Sequence, residues 1–220
     1  MIIVIDGPAG SGKSSTARAV ADKLDIQYLD SGALYRTLTL MYLESGKDKT
    51  KFFELLNRKS ISFFYEEGTF HVSVGKRDIT EQIRTVEVNN YVSTVAALPK
   101  SRQFVNNLMH QAVQQETWIA EGRDLGTAVF PDAELKFFMV ADTDVRAERR
   151  HRELKAQGAD VTLDEVKRNI IERDQKDSRR KKDPLKKAPD AVEVDTSEMT
   201  FEQQVDFICS RITNKFETQT

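Results

Sequence analysis

Residues able to hold the phosphates of a nucleotide stand at the start of the chain. Gly7, Pro8, Ala9, Gly10, Ser11, Gly12, Lys13 and Ser14 give the spacing Gly-x-x-x-x-Gly-Lys-Ser. Glycines let several backbone N–H groups turn toward one anion, and a helix starting there adds its positive end. Lys13 supplies a full charge near the β- and γ-phosphates, and the Ser14 hydroxyl is placed to ligate the Mg2+ that bridges them. The alternative is an incidental glycine-rich turn. Against it, Ile2, Ile3, Val4 and Ile5 read as a buried strand, and Ala17, Val20, Ala21 and Leu24 recur at helical spacing. Strand, glycine loop and helix together are what a P-loop needs.

A phosphate cradle does not by itself say where the phosphoryl group goes. Regulatory GTPases carry an Asn-Lys-x-Asp guanine reader, which is absent here; a motor would want an acid at a strand end, for which Glu121 is the nearest candidate. A kinase needs anchors for an acceptor. Arg36, on the helix after Asp30-Ser31-Gly32, and Arg123, at the carboxyl end of a core strand, should both lie where open parallel sheets bind ligands, and each could grip a phosphate with paired N–H donors. A surface ion pair is the plain alternative for either alone. Asp124 adjoins Arg123, and a carboxylate, which only accepts hydrogen bonds, suits the amine of cytosine and repels the carbonyl of uracil.

The elements that must position these groups alternate. Residues 26–29, 118–120, 135–140 and 191–194 read as further strands, and residue 34 onward, residue 99 onward and residue 143 onward as helices. Thr162 with Glu165, and Thr200 with Gln203, are spaced as capping boxes that open two more helices. Residues 61–65 and 69–74 flank Glu66-Glu67-Gly68 and form an expected antiparallel hairpin, so residues 60–85 read as an insertion. The pattern predicts an α/β fold, a parallel sheet of five strands covered by helices on both faces.

With 220 residues, 39% apolar, 31% charged and a net charge of -2, the chain has the size and balance of one soluble domain, and is less basic than a general nucleic-acid binder. The one cysteine, Cys209, cannot pair internally and shares a helical face with Phe201, Val205, Ile208 and Ile212. His71, His110 and His151 lack metal-ligand spacing and read as packing or surface residues. No apolar run approaches the roughly eighteen residues of a membrane span, and the cradle begins at residue 7, so a cytoplasmic protein without a cleaved signal is expected.

The cradle, Asp30-Ser31-Gly32-Ala33-Leu34-Tyr35-Arg36, Ile83-Arg84-Thr85, Val95-Ala96-Ala97-Leu98-Pro99, Glu121-Gly122-Arg123-Asp124-Leu125-Gly126-Thr127 and Glu172-Arg173-Asp174 occur in an order that closely resembles bacterial-type cytidylate kinases. The resemblance spans nearly the whole chain. It implies a P-loop kinase fold with a small antiparallel β insertion in the domain that binds the nucleoside monophosphate, and a helical lid. Residues 1–35, 86–145 and 188–220 would form the core, residues 36–85 the monophosphate-binding region and residues 146–187 the lid with its flanking helices.

The resemblance also implies roles. The ATP side would take residues 7–14 with Ser15, and Ser14 would meet Mg2+. CMP, or dCMP, would be read at its base by Ser93, Arg102 and Asp124, held at its ribose by Asp177 and at its phosphate by Arg36, Arg123 and Arg180, with Ser31 beside them. Lys13, Arg149 and Arg173 would face the transferring group. Lys181 and Lys182 read as a solvated face. Some members of the family have glycine where Ser14 follows the lysine. The expected activity is ATP-dependent phosphorylation of CMP by a monomer with no nucleic-acid or membrane partner. A kinase for another monophosphate or small metabolite, and a non-catalytic nucleotide-binding module, are the alternatives.

Overall fold

A computed structural model of the chain describes residues 1–156 and 158–217. It contains eight strands, β1 (Ile2–Asp6), β2 (Gln27–Asp30), β3 (Ile61–Glu66), β4 (Thr69–Val74), β5 (Arg77–Asp78), β6 (Trp118–Gly122), β7 (Leu135–Val140) and β8 (Val192–Asp195). Eight α-helices accompany them: α1 (Lys13–Leu24), α2 (Ser31–Glu44), α3 (Lys49–Arg58), α4 (Val86–Ala96), α5 (Pro99–Ala112), α6 (Thr143–Ala156), α7 (Leu163–Ser178) and α8 (Phe201–Glu217). One sheet has five strands in the order β2-β6-β1-β7-β8, as the alternation of strands and helices predicts, and β3-β4-β5 form a separate small sheet.

The chain divides into two compact units, residues 1–26 with 117–220, and residues 27–116. In the first, β1 pairs in parallel with β6 on one side and β7 on the other, and β7 with β8. Ile5 lies opposite Glu121 and Asp6 opposite Gly122, so the carboxyl ends of β1 and β6 finish at one level. All of β6 is buried, as a strand covered on both faces must be. Helices α1 and α8 pack together, and α6 packs on α7 around a satellite core of Ala147, Val166 and Ile170. The capping box at Thr162 is complete, and Thr200 and Gln203 exchange reciprocal bonds of 2.9 and 3.2 Å before α8. Val205, Ile208, Cys209 and Ile212 face inward from α8, but Phe201, at its first residue, stands clear of the core and is 45% exposed.

In the second unit the hairpin β3-β4 is antiparallel, with Ile61 opposite Val74 and Glu66 opposite Thr69. A third short strand, β5, extends it, and helices α3 and α4 add to what the sequence pattern shows. The buried face of α5 is Ser101, Arg102, Val105 and Met109; Phe104 and Leu108, the apolar residues whose spacing after Pro99 predicts a helix there, are only half-buried. Helix α2 buries Leu34, Leu38, Met41 and Tyr42 as its spacing predicts.

Gly7 leaves β1 at φ +151°, and a Cβ built there would lie 2.0 Å from the carbonyl oxygen of Met139. Gly68, at the hairpin tip with φ +73°, has nothing within 4 Å. Gly7→Ala is therefore expected to destabilise the protein by about 3 kcal/mol or more, through both backbone strain and displacement of β7, and Gly68→Ala by about 1 kcal/mol. Urea unfolding of the two variants checks the order; equal losses would contradict it.

Candidate active site

The loop between β1 and α1 wraps its lysine. Lys13 is buried, and its Nζ donates to the Pro8 carbonyl at 2.7 Å and to Ser11 Oγ at 3.3 Å. Gly10 and Gly12 have φ of +76° and +92°, which lets the chain fold around the ammonium. Burial, and then the Arg123 charge, push Lys13 well below the ordinary lysine value; Glu121, Asp6 and Asp174 oppose the shift. Ser14 donates to Glu121 Oε1 at 2.6 Å and Ser15 to the Gly12 carbonyl at 2.9 Å.

Asp6, the last residue of β1, is buried and accepts from the backbone N–H groups of Leu125 and Gly126 at 3.0 and 2.7 Å. These open the π-helical turn Leu125–Val129, so Asp6 fixes the segment that follows Asp124. Burial raises the Asp6 carboxyl from 3.8 to about 6, against the pull of those two N–H groups.

Beyond β6 two arginine–carboxylate pairs form between neighbouring positions. Arg123 Nε donates to Asp177 Oδ2 at 3.1 Å, and Arg180 Nη2 lies 3.6 Å from Asp124 Oδ1. Burial lowers the Arg123 value, but the Asp177 and Glu121 charges more than offset it, so the guanidinium is held cationic. Arg149 donates to Thr196 Oγ1 at 3.0 Å and to its carbonyl at 2.7 Å, and Thr196 reaches the Ser11 carbonyl at 3.2 Å. Arg149 is thus tied to the loop through one residue. Arg173 lies on α7, one residue before Asp174, which accepts from Ala9 N–H at 3.1 Å. Lys181 and Lys182 are exposed.

The second unit carries the other residues named above. Asp30 caps α2 by accepting from Ala33 N–H at 2.8 Å, and Ser31 begins the helix, buried. Arg36 Nε donates to Asn89 Oδ1 at 3.2 Å, and its Nη1 lies 2.9 Å from where a Gly32 Cβ would stand, so the missing side chain makes room for the guanidinium. Arg84 approaches Asp30 at 3.5 Å. Ser93 is half-buried on α4; Arg102 is buried on α5, its guanidinium 5.9 Å from the Tyr35 ring centre.

In the first unit the fold therefore brings Lys13, Ser14, Arg149, Arg123, Asp124, Asp177 and Arg180 around neighbouring strand ends. It adds Asp6, Arg146, Thr196 and Gln204, which no motif includes, and Asp174, which stands in the Glu172-Arg173-Asp174 motif without an expected role. Asp6 had a local signal, since it directly precedes the glycine loop. Gln204 had none: it receives Thr16 Oγ1 from 188 positions away, at 3.1 Å. Among the described residues no group of three or more His, Cys, Asp or Glu could hold a metal ion. Any ion at Ser14 would rest on few protein oxygens, which is the way Mg2+ binds with phosphates and water.

The sequence profile of the cytidylate kinase family matches residues 3–214. The chain belongs to the cytidylate kinase family. It is 42% identical over 208 residues to a cytidylate kinase of Carboxydothermus hydrogenoformans, covering 93% of this chain and 94% of that one. A cytidylate kinase of Streptococcus pneumoniae is 44% identical over 210 residues, covering 94% of each. Among solved structures, a gluconokinase from Sinorhizobium meliloti superposes with a TM-score of 0.50 at 15% identity, over 99% of this chain and 96% of that one, a likeness of fold alone. No described helix is long and apolar enough to cross a membrane.

The raised Asp6 carboxyl has a consequence for stability. Between its ordinary value and about 6 the folded protein keeps a proton that the unfolded chain has lost, so this group's contribution falls as pH rises through that window and is constant above it. Relative to Asp6→Asn, the wild-type protein should lose up to about 3 kcal/mol of unfolding free energy between pH 4 and pH 7. Urea titrations at stepped pH measure the difference. A flat or rising difference would mean that the two N–H donors keep the carboxylate charged.

Proposed function

We propose that the protein transfers the γ-phosphoryl group of ATP to CMP, and to dCMP, forming the diphosphates. The observation that supports this most is the placing of the two arginine–carboxylate pairs, Arg123 with Asp177 and Asp124 with Arg180, directly after the strand beside the lysine-bearing loop. The family membership supplies the acceptor's class.

In this reading the backbone of residues 7–15 and Lys13 take the ATP phosphates, and Mg2+ is held by Ser14 with Glu121 behind it. The ion would neutralise charge between the β- and γ-phosphates. Lys13 leaves its carbonyl and hydroxyl partners for the phosphates, and Arg149 and Arg173 approach the transferring group. Arg36, Arg123 and Arg180 hold the acceptor phosphate near Ser31, Asp177 takes the ribose hydroxyls, and Ser93, Arg102 and Asp124 read the cytosine. Residues 146–187 act as a lid that keeps water from the reacting phosphate, residues 36–85 form the monophosphate-binding region, and the protein works as a cytoplasmic monomer without a nucleic-acid partner.

Assays of ADP release with CMP, UMP, AMP and shikimate test the acceptor: CMP should be fastest, and faster turnover of any other would overturn the assignment. Asp124→Asn should cut kcat/KM for CMP by about 10² or more, because the base amine then meets a group that is no longer purely an acceptor. A variant with unchanged CMP kinetics would move base reading elsewhere.

ATP binding should also take up protons. Lys13 is held low in the free protein, and a triphosphate favours its charged form, so affinity should decline as pH rises above neutrality. Calorimetry at pH 8 in two buffers of different ionisation enthalpy would show uptake in the wild type, and none in Lys13→Ala.

A further inference from the structure

One residue of the phosphate loop is gripped on both sides by groups outside it. The Ala9 N–H donates to Asp174 Oδ1 at 3.1 Å, and the Ala9 carbonyl accepts from Arg146 Nη1 at 3.0 Å. The same Arg146 Nη1 bonds Asp174 Oδ2, so the pair closes a ring around the backbone of a single residue. Arg146 has little freedom to leave: it is 7% exposed, its Nε donates to the Ala141 carbonyl at 2.9 Å and its Nη2 to Thr143 Oγ1 at 3.1 Å. Gly10 lies against the same helix, where an added Cβ would stand 3.0 Å from the Arg146 carbonyl oxygen. A charge-assisted pair with both partners satisfied is a stiff attachment.

The other end of this attachment is helix α7. Asp177 follows Asp174 by three residues, so the two carboxylates lie on one face within one turn. Asp177 holds Arg123 at 3.1 Å, and its carbonyl accepts from Leu185 N–H at 2.9 Å and from Arg180 Nε at 3.3 Å. One helical turn is therefore bolted to the ATP loop at Ala9 and to the acceptor-side arginines at Asp177. If Asp177 takes a ribose and Arg123 a phosphate, as proposed above, their mutual contact must exchange when the acceptor arrives. The turn cannot shift at Asp177 without moving Asp174 against Ala9.

We propose that Asp174 is a positioning residue that couples acceptor binding to the geometry of the ATP loop through this turn of α7. The proposal rests on the cytidylate kinase reading. Coupling between two ligands is reciprocal and commonly about five-fold or more. In the wild-type protein, saturating CMP should change the Kd of a non-hydrolysable ATP analogue by about that factor, and the analogue should change the Kd of CMP equally. Asp174→Asn keeps the volume and one acceptor but turns an N–H toward Arg146. It should bring the factor to within about two-fold of unity while CMP alone binds nearly as before. Arg146→Lys, which keeps the charge but loses the fork, should do the same, and Asp174→Glu should restore part of the coupling.

Calorimetric titration of each ligand with and without the other is the measurement, on variants whose thermal unfolding is first shown to be cooperative. Full coupling in both variants, or no coupling in the wild type, overturns the proposal. A wild-type protein that fails to phosphorylate CMP overturns the underlying reading instead. Turnover of CMP with coupling undiminished in the variants sinks only the role of Asp174.

Discussion

A cation enclosed in the protein is the constraint around which this site is organised. Lys13 is buried at the first residue of α1, so its ammonium charge adds to the positive end of that helix in one place. The chain answers with oxygen atoms. The Pro8 carbonyl and the Ser11 hydroxyl accept from the ammonium directly, and Glu121, Asp6 and Asp174 act on it electrostatically from different segments. Each of these acids also has a second attachment: Asp6 to the turn after Asp124, Glu121 to Ser14, Asp174 to Ala9 and Arg146. The charge balance of the lysine and the shape of the loop are therefore kept by the same few carboxylates.

The arginines proposed for the acceptor phosphate and the transferring group show the same economy of means. None of Arg36, Arg123 and Arg149 projects unsupported: Asn89, Asp177 and Thr196 respectively receive them. Held guanidiniums lose less conformational freedom when an anion arrives than loose ones do. The cost is that existing contacts must be exchanged for new ones. The exchange is easiest to picture at Arg123, whose carboxylate partner is itself a candidate ligand group.

Much of this was legible in the residue order, for identifiable reasons. The strand, glycine loop and helix at residues 2–24 are local and carry their signals in adjacent residues, as do the hairpin at Glu66-Glu67-Gly68 and the caps at Thr162 and Thr200. Helix α3 leaves little signal in the sequence because its inward face is only Phe52 and Leu56. The inward face of α5 differs from its apolar spacing because two of its buried residues, Ser101 and Arg102, are polar. The supporting groups Arg146, Asp174, Thr196 and Gln204 could not be found in the same way. Arg146, Asp174 and Thr196 act on the loop from 137 to 185 positions away and Gln204 on Thr16 of α1 from 188, and charged or polar residues look like solvent-facing ones until the partner is known.

Those separations bear on the order in which the protein comes into being. The phosphate loop is synthesised before every distant group that braces it: Met139 against Gly7, Arg146 and Asp174 at Ala9 and Thr196 at Ser11, with Gln204 at Thr16 of the helix that follows. Contacts of such long sequence separation carry the full cost of closing the chain and form slowly. During synthesis the loop therefore gains these braces one after another, and a nascent chain stopped before α8 presents the whole nucleotide motif without the helix that packs on α1.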